Sequence, residues 1–231
     1  MTVSTDLHIH SCLSPCGDMA MNPSDLVGMS LLNGRQLIAL TDHNTARNCP
    51  AAANAAAAYG IGFIPGVEVT TSEDVHAVCL FPGLEAAMEF GGMLYSRIPD
   101  IPNRPEIFGE QVIYDAGGEP CGTEPKLLIT GSGISILDLP GAVSEYGGIC
   151  YPAHIDRDGN GLLHILGAWP AELDACAAEV SGANIPGGLP EGLKIISASD
   201  AHYLHDLPQN GFTMDLESPD FSGLLRWIKR T

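Results

Sequence analysis

The sequence predicts an α/β fold with a parallel sheet, and three observations support this prediction. Short runs rich in Ile, Val and Leu recur along the chain, and such runs suit strands that are buried on both faces. Helix signals lie between several of these runs, and the alternation of strands and helices is typical of α/β proteins. Polar residues able to bind metals follow several of the runs. The 231 residues suit a single domain, 1–231, that carries an insertion.

The predicted strands are the apolar runs. The first ends in DLHIHS, and the others are QLIALT at 36–41, IGFIPGVEV at 61–69, VHAVCLF at 75–81, GGICYPA at 147–153 and LKIISAS at 193–199. The predicted helices begin at Asn22-Pro23, at Asn48 before PAAANAAAAYG, at Pro140 and at Ser218-Pro219. Capping residues and prolines favour these starts, and Gly34, Gly60 and Gly147 favour the ends of the first three.

Residues from about 85 to 132 break this alternation. The segment SRIPDIPNRPEIFG is rich in proline, and DAGGEPCGTEP after QVIYDA predicts a hairpin turn. We interpret residues 85–132 as an insertion or small subdomain. Arg97 and Arg104 lie in it, which suggests that it covers a site and sets substrate choice.

Composition excludes some functional classes. Hydrophobic residues make up 45% of the chain, which argues against disorder, and the formal net charge is -18. Such an acidic chain disfavours binding to long nucleic acid or an anionic membrane, although metal ions can hold a small phosphorylated substrate. No run is long enough to span a membrane, and MTVSTDLHIHS lacks the features of a secretory signal. The seven cysteines are scattered without a CxxC pair, so we expect a cytoplasmic protein with reduced thiols.

The eight histidines provide the main functional signal. Residues i and i+2 of a strand point to the same face, so His8 and His10 can reach one ion, and Asp200 and His202 can do the same. Asp42-His43, Glu68, His76 and His154 lie in or after other apolar runs. A single histidine of this kind is usually structural, but the whole set at strand ends favours metal binding. Imidazoles with carboxylates suit Zn, Mn or Fe.

These residues resemble the PHP family, the polymerase and histidinol phosphatase domain. The matching motifs are DLHIHS, TDHN, GVEV with His76 eight residues after Glu68, PAHIDR and SDAH, in the order of the family. The resemblance implies a distorted (β/α)7 TIM-like barrel and a trinuclear metal centre. The expected cofactors are two or three divalent ions of Zn, Mn or Fe, because the third site is the least defined. It implies that His8, His10, Glu68 and Asp200 hold the first ion. Glu68 would bridge to a second ion, with His76 and His154.

A third ion would be held by His43 and His202 with one residue of the loop SCLSPCGDMAM. Asp18 is the predicted ligand and Cys16 is its rival. The loop is longer than in many family members, which leaves this ion the least defined.

The resemblance implies a metal-dependent phosphoesterase. A hydroxide bridging two ions would attack a small phosphorylated substrate, such as a phosphomonoester, a nucleotide or a short oligonucleotide. Asp200 and His202 are the predicted catalytic residues. Arg157, Arg47 and Asn44 are predicted to bind substrate, although Asn44 could instead hold its turn, and Asp42 is expected to orient His43 or the loop. The alternatives are an amidohydrolase-type deaminase or amidase, and a non-catalytic metal-binding module.

Overall fold

The computed structural model describes residues 1–182, 184–209 and 211–230. Its strands are β1 (Thr2–Ile9), β2 (Leu37–Leu40), β3 (Gly62–Thr70), β4 (His76–Leu80), β5 (Val112–Tyr114), β6 (Pro120–Thr123), β7 (Ile149–Pro152), β8 (Ala177–Glu179), β9 (Lys194–Ile196) and β10 (Phe212–Asp215). Its helices are α1 (Pro23–Leu32), α2 (Cys49–Tyr59), α3 (Leu84–Arg97), α4 (Pro105–Phe108), α5 (Leu139–Ser144), α6 (Leu162–Leu166) and α7 (Phe221–Lys229), and Leu204–Asp206 form a 3-10 turn.

The main sheet has six strands in the order β10-β1-β2-β3-β4-β7. The predicted α/β class is confirmed, and β1, β2 and β3 are parallel as expected. A complete (β/α)7 barrel is not confirmed, because β10 is antiparallel to β1, and β4 is antiparallel to both β3 and β7. The strands β8 and β9 form a separate parallel pair. The described strands therefore form a curled six-stranded sheet, the adjoining β8–β9 pair and a separate β5–β6 pair.

Isolated hydrogen bonds join the two sheets at the edge that carries the motifs. Ile155 N–H, after β7, donates to the carbonyl of Glu179 in β8 at 2.9 Å. Asp200 N–H, after β9, donates to the carbonyl of His8 in β1 at 2.9 Å. These links bring the ends of β1, β7, β8 and β9 together.

The reversal of β4 decides where His76 lies. In the ladder between β3 and β4, His76 pairs with Thr70, the last residue of β3. The amino end of β4 therefore lies at the same edge as the carboxyl end of β3. His76 joins the other motif residues for this reason, although it begins its strand.

The predicted helices are confirmed, with small shifts at their ends. The Asn22 side chain caps α1, Gly60 ends α2 at a φ of 73°, and α5 covers most of the helix expected from Pro140. The last helix begins at Phe221 instead of Ser218-Pro219, because the Asp220 carboxylate accepts the N–H of Gly223 at 2.8 Å. Leu224 and Ile228 of this helix are buried.

The predicted insertion at 85–132 begins with a helix of the main fold. Ala87, Phe90 and Leu94 of α3 are buried in the main hydrophobic core. The irregular part follows Arg97 and contains α4 and the β5–β6 hairpin, as the turn residues predict. A small cluster of Leu13, Ile98, Ile113 and Leu128 packs this part against the loop after β1. Within the described residues, no helix is long and apolar enough to cross a membrane.

Candidate metal centre

The centre of the motif edge is the carboxylate of Glu68, which is 1% exposed. It lies in β3, and the surrounding histidines come from β1, β4 and the segments after β1, β2 and β7. Its Oε1 lies 3.2 Å from His8 Nε2, 3.0 Å from His76 Nδ1 and 3.2 Å from His154 Nε2. Its Oε2 lies 3.3 Å from His10 Nε2 and 2.8 Å from His43 Nδ1. One carboxylate therefore contacts five imidazoles.

Asp200 supplies the second carboxylate of the centre. Its Oδ1 lies 2.9 Å from His10 Nε2 and 3.2 Å from His8 Nε2, and its Oδ2 accepts Arg157 Nη1 at 2.5 Å. His202 Nδ1 lies 2.9 Å from the backbone carbonyl of Asp200, so Nδ1 carries the proton and Nε2 has a free lone pair. Asp200 and His154 have positive φ angles of 51° and 29°, a backbone strain that is common at functional sites.

The side chains form three groups. Within each group, the possible ligand atoms lie within 4.8 Å of one another. These groups are His8, His10, Glu68 and Asp200; His43, Glu68 and His76; and His10, His43 and His202. The first group has the four residues expected around the first ion. The second has His43 where the resemblance implies His154, although His154 also contacts Glu68. The third has His10 where Asp18 is expected.

The donor atoms of these groups fit divalent cations. Among the described residues, His43 Nδ1, Glu68 Oε2, His76 Nε2 and Asp200 Oδ1 are buried without a hydrogen-bond partner. Buried polar atoms normally have a partner, because an unpaired one loses its hydration without compensation. The Nε2 atoms of His8 and His10 also lie only 3.1 Å apart. A cation bound between imidazole and carboxylate atoms would satisfy this arrangement.

The protonation states of the centre follow from burial and from its charges. Burial acts to raise the pKa of Glu68, but the imidazoles of His76, His43 and His8 hold that pKa well below its usual range. Burial lowers the pKa of His43. Burial and the charge of the nearby His202 both lower the pKa of His10. Burial acts to lower the pKa of His8, but the carboxylates of Glu179, Asp200 and Glu68 hold that pKa well above its usual range. The ionised Glu68 and the neutral rings of His10 and His43 are in the forms that bind metals, whereas His8 releases a proton when it binds one.

Sequence reasoning missed Glu179, which contacts His8 and His154 of the centre. Glu179 is 1% exposed and accepts a hydrogen bond from His8 Nδ1, which lies 3.0 Å from Oε2. The N–H of His154 donates to Oε1 of the same carboxylate at 3.3 Å. The bond from His8 Nδ1 to Glu179 directs His8 Nε2 toward the centre and makes His8 a stronger ligand. An acidic residue within the apolar run AAEV is the signal that could have identified it.

Asp42 has the orienting role that the sequence suggests, through the loop after β1. Its Oδ1 accepts the hydroxyl of Ser14 at 2.7 Å, and its Oδ2 accepts the hydroxyl of Ser11 at 2.7 Å. Ser14 Oγ in turn lies 2.8 Å from His10 Nδ1. Asp42 therefore fixes the ring of His10 instead of that of His43.

The loop residues predicted to complete a third ion site lie outside the three groups. The Asp18 carboxylate accepts the N–H of Ala20 at 2.8 Å, which stabilises its own turn. Cys16 is exposed, with a φ of 65°. The role of either residue as a ligand remains a prediction, and this geometry does not support it.

The three residues predicted to bind substrate lie in different surroundings. Arg157 lines a pocket of about 220 Å³ beside the metal centre. Arg47 lines a different cavity and pairs with the buried Glu124 at 2.8 Å. Asn44 is fully buried, and its amide donates to the carbonyls of Leu128 and Thr130. The structure thus favours the turn-holding alternative for Asn44, because its amide is already hydrogen-bonded.

A relative with a curated name matches part of this chain. The chain is 41% identical over 73 residues to the 3′,5′-nucleoside bisphosphate phosphatase of Chromobacterium violaceum. The matched segment is 32% of this chain and 25% of the relative. The chain therefore spans about a quarter of the length of that relative.

Solved structures share the fold at low sequence identity. The lesion-specific endonuclease of Pyrococcus furiosus has a TM-score of 0.70 at 19% identity, over 99% of this chain and 56% of that protein. Endonuclease Q in complex with a 27-mer duplex has a TM-score of 0.69 at 18% identity, over 99% of this chain and 57% of that protein. An amidohydrolase of C. violaceum with bound sulfate has a TM-score of 0.58 at 22% identity, over 98% of this chain and 96% of that protein.

The family model of the PHP domain matches residues 6–116. This range includes His8, His10, His43, Glu68 and His76, and the remaining motif residues lie at the same edge of the fold. Residues 6–116 of the chain are therefore similar to the PHP domain, the family that the histidine motifs resemble.

Proposed function

We propose that this chain is a metal-dependent phosphoesterase that hydrolyses a small phosphorylated substrate. The observation that carries the proposal is the contact of Glu68 with five imidazoles in a pocket whose lining includes Arg157. A cationic centre with a guanidinium beside it suits a phosphate group, because both neutralise the charges of the phosphoryl oxygens. The phosphatase relative and the PHP match support this chemistry.

The proposal assigns two or three Zn, Mn or Fe ions to the three ligand groups. Such ions, when bound, polarise phosphoryl oxygens and lower the pKa of a coordinated water. Asp200 orients Arg157, whose remaining N–H groups face the phosphate. His202 Nε2, with its free lone pair, binds an ion or accepts a proton from the attacking water. Glu179 and Ser14 keep His8 and His10 in place.

The charge distribution favours a small substrate over a long nucleic acid. The chain has ten Lys and Arg residues, and of those in the described part only Arg157 lines the metal pocket. Arg226 and Arg230 pair with Glu217, and Arg47 pairs with Glu124. A polynucleotide needs a row of unpaired cations along its backbone. A phosphomonoester, a nucleotide or a short oligonucleotide needs only the metal centre and Arg157.

Phosphate release from a panel of phosphomonoesters and short phosphodiesters tests the proposal. The chain is loaded in turn with Mn, Fe(II) or Zn, and His154→Ala serves as the variant of the centre. Metal-dependent release that His154→Ala abolishes supports hydrolysis. Hydrolysis of longer oligonucleotides with a kcat/KM that falls steeply as the salt concentration rises would overturn the proposal that the substrate is small. Amide hydrolysis or deamination without phosphate release would favour the amidohydrolase alternative, and metal binding without any hydrolysis would favour a binding module.

A further inference from the structure

The irregular segment after α3 reaches the metal pocket at Ile129. Among the described residues that line this pocket, Ile129 alone has an apolar side chain. The other lining residues are polar or glycine: His43, Glu68, His76, His154, Arg157, Gly159, Asn160, Asp200 and His202. The pocket therefore combines one charged region with one apolar position.

Ile129 belongs to none of the hydrophobic clusters found among the described residues. Its neighbour Leu128 is fully buried with Leu13, Ile98 and Ile113, whereas Ile129 is half-buried beside the pocket. When a ligand removes such an apolar side chain from water, the free energy of the complex falls.

The backbone around Ile129 is held on one side by Gln111. We call residues 124–130 the strap. The buried amide of Gln111 donates to the carbonyls of Glu124 at 2.8 Å and Lys126 at 2.6 Å. Its Oε1 accepts the N–H of Leu128 at 3.1 Å. A single side chain thus fixes three residues of the strap.

Asn44 holds the strap on the side of the metal centre. Its amide donates to the carbonyls of Leu128 at 2.6 Å and Thr130 at 2.8 Å, the two residues that flank Ile129. Its own N–H donates to the carbonyl of Glu68 at 2.8 Å. Asn44 therefore links the two residues that flank Ile129 to the backbone of Glu68, and this fixes Ile129 relative to the metal ligands.

We propose that Ile129 is a specificity-determining residue that packs against an apolar face of the alcohol in the substrate. The preferred substrates are phosphate esters whose alcohol presents such a face next to the phosphate, for example an aryl ring or one face of a sugar ring. Arg157 and the metal centre hold the phosphate, and Ile129 contacts the adjoining carbon atoms. This inference rests on the proposed phosphoesterase function.

The test compares two small esters that differ in the polarity of the alcohol. The ratio of kcat/KM for phenyl phosphate to kcat/KM for glycerol phosphate is measured with the Mn-loaded chain. Truncation in Ile129→Ala removes three carbon atoms, and we expect the ratio to fall about tenfold. Ile129→Leu keeps the number of carbon atoms and retains most of the ratio. The matched control Ile107→Ala changes an exposed isoleucine of α4, outside the pocket, and leaves the ratio unchanged.

A binding measurement separates this inference from the proposed function. Calorimetry compares phenylphosphonate with methylphosphonate on the Mn-loaded chain and on the same variants. We expect tighter binding of phenylphosphonate, and loss of that preference in Ile129→Ala but not in Ile107→Ala. Equal binding of the two phosphonates by the unaltered chain, or a preference that Ile129→Ala retains, overturns the role of Ile129. Hydrolysis of neither ester, with the binding preference intact, overturns the proposed activity and leaves the role of Ile129 standing.

Discussion

Two buried glutamates show how the metal centre differs from the strap. Glu68 and Glu124 are both 1% exposed. Glu124 accepts hydrogen bonds from Arg47 Nη1 at 2.8 Å, from the Tyr95 hydroxyl at 2.9 Å and from the N–H of Lys126 at 3.1 Å. Glu68 is surrounded by imidazoles. Its Oε2 lies close to the ring nitrogens of His10 and His43, but among the described residues none of these contacts has the geometry of a hydrogen bond.

The difference separates a scaffold from a binding site. A buried carboxylate with donors on both oxygens is satisfied by the fold and stabilises it. A buried carboxylate oxygen that lacks a hydrogen-bond donor is satisfied when a cation binds between it and the surrounding ring nitrogens. Burial alone does not distinguish the two glutamates, whereas their hydrogen-bond partners do.

The largest expected effect is the loss of metal binding in Glu68→Gln. The substitution keeps the size of the side chain and removes the charge shared by the ligand groups, so we expect metal affinity to fall about 1,000-fold or more. Metal content after dialysis and calorimetric titration with Mn or Zn measure the change. Full metal stoichiometry in Glu68→Gln would contradict the assignment of Glu68 as the central ligand.

Glu179→Gln is expected to weaken metal binding to a smaller extent. The side chain can still accept from His8 Nδ1, but the imidazole loses the charge that makes it a strong ligand. Losses of about 10- to 100-fold in metal affinity are usual for such changes. The same titration measures the loss, and Glu89→Gln on the exposed face of α3 is the control. An affinity equal to that of the control would show that Glu179 only fills space.

Glu124→Gln is expected to affect stability instead of metal binding. It weakens the hydrogen bonds from Arg47 and Tyr95 in a buried place, which costs about 2 kcal/mol of unfolding free energy. Urea unfolding in the presence of a chelator measures this cost, and metal stoichiometry stays that of the unaltered chain. Loss of metal from a folded Glu124→Gln variant would remove the distinction between the two glutamates.

The smallest expected effect concerns Asp220, an exposed carboxylate remote from both glutamates in sequence. The N–H of Gly223 donates to it at the start of α7 and lowers its pKa. Its stabilisation is therefore present above the pKa of the unfolded chain and is lost as pH falls through the lower pKa of the folded chain. We expect Asp220→Ala to cost about 1 kcal/mol at neutral pH and less near about pH 3.

Urea unfolding at the two pH values measures the contribution of Asp220. Asp220→Asn is the control, because its amide oxygen still caps the helix but does not titrate. A cost of Asp220→Ala that is the same at both pH values would show that the carboxylate charge has no part in the cap.

Local signals in the sequence were sufficient for the α/β class and for most helix starts, whereas the first ligand group was predicted from the family resemblance. Caps and prolines act on adjacent residues, so Asn22-Pro23 places α1 correctly. The alternation of side chains along a strand places His8 and His10 together, and their ring nitrogens do lie 3.1 Å apart.

The tertiary structure decided the features that depend on contacts between distant residues. The direction of β4, which brings His76 to the centre, follows from its pairing with β3 and β7. Glu179 and His8 are separated by 171 residues, and Arg47 and Glu124 by 77. No local propensity encodes such a pairing, because it forms only when the sheet and the strap have packed. The sequence by itself thus indicated a set of candidate metal ligands, and the packed fold decided which buried groups have partners and which are left for a ligand.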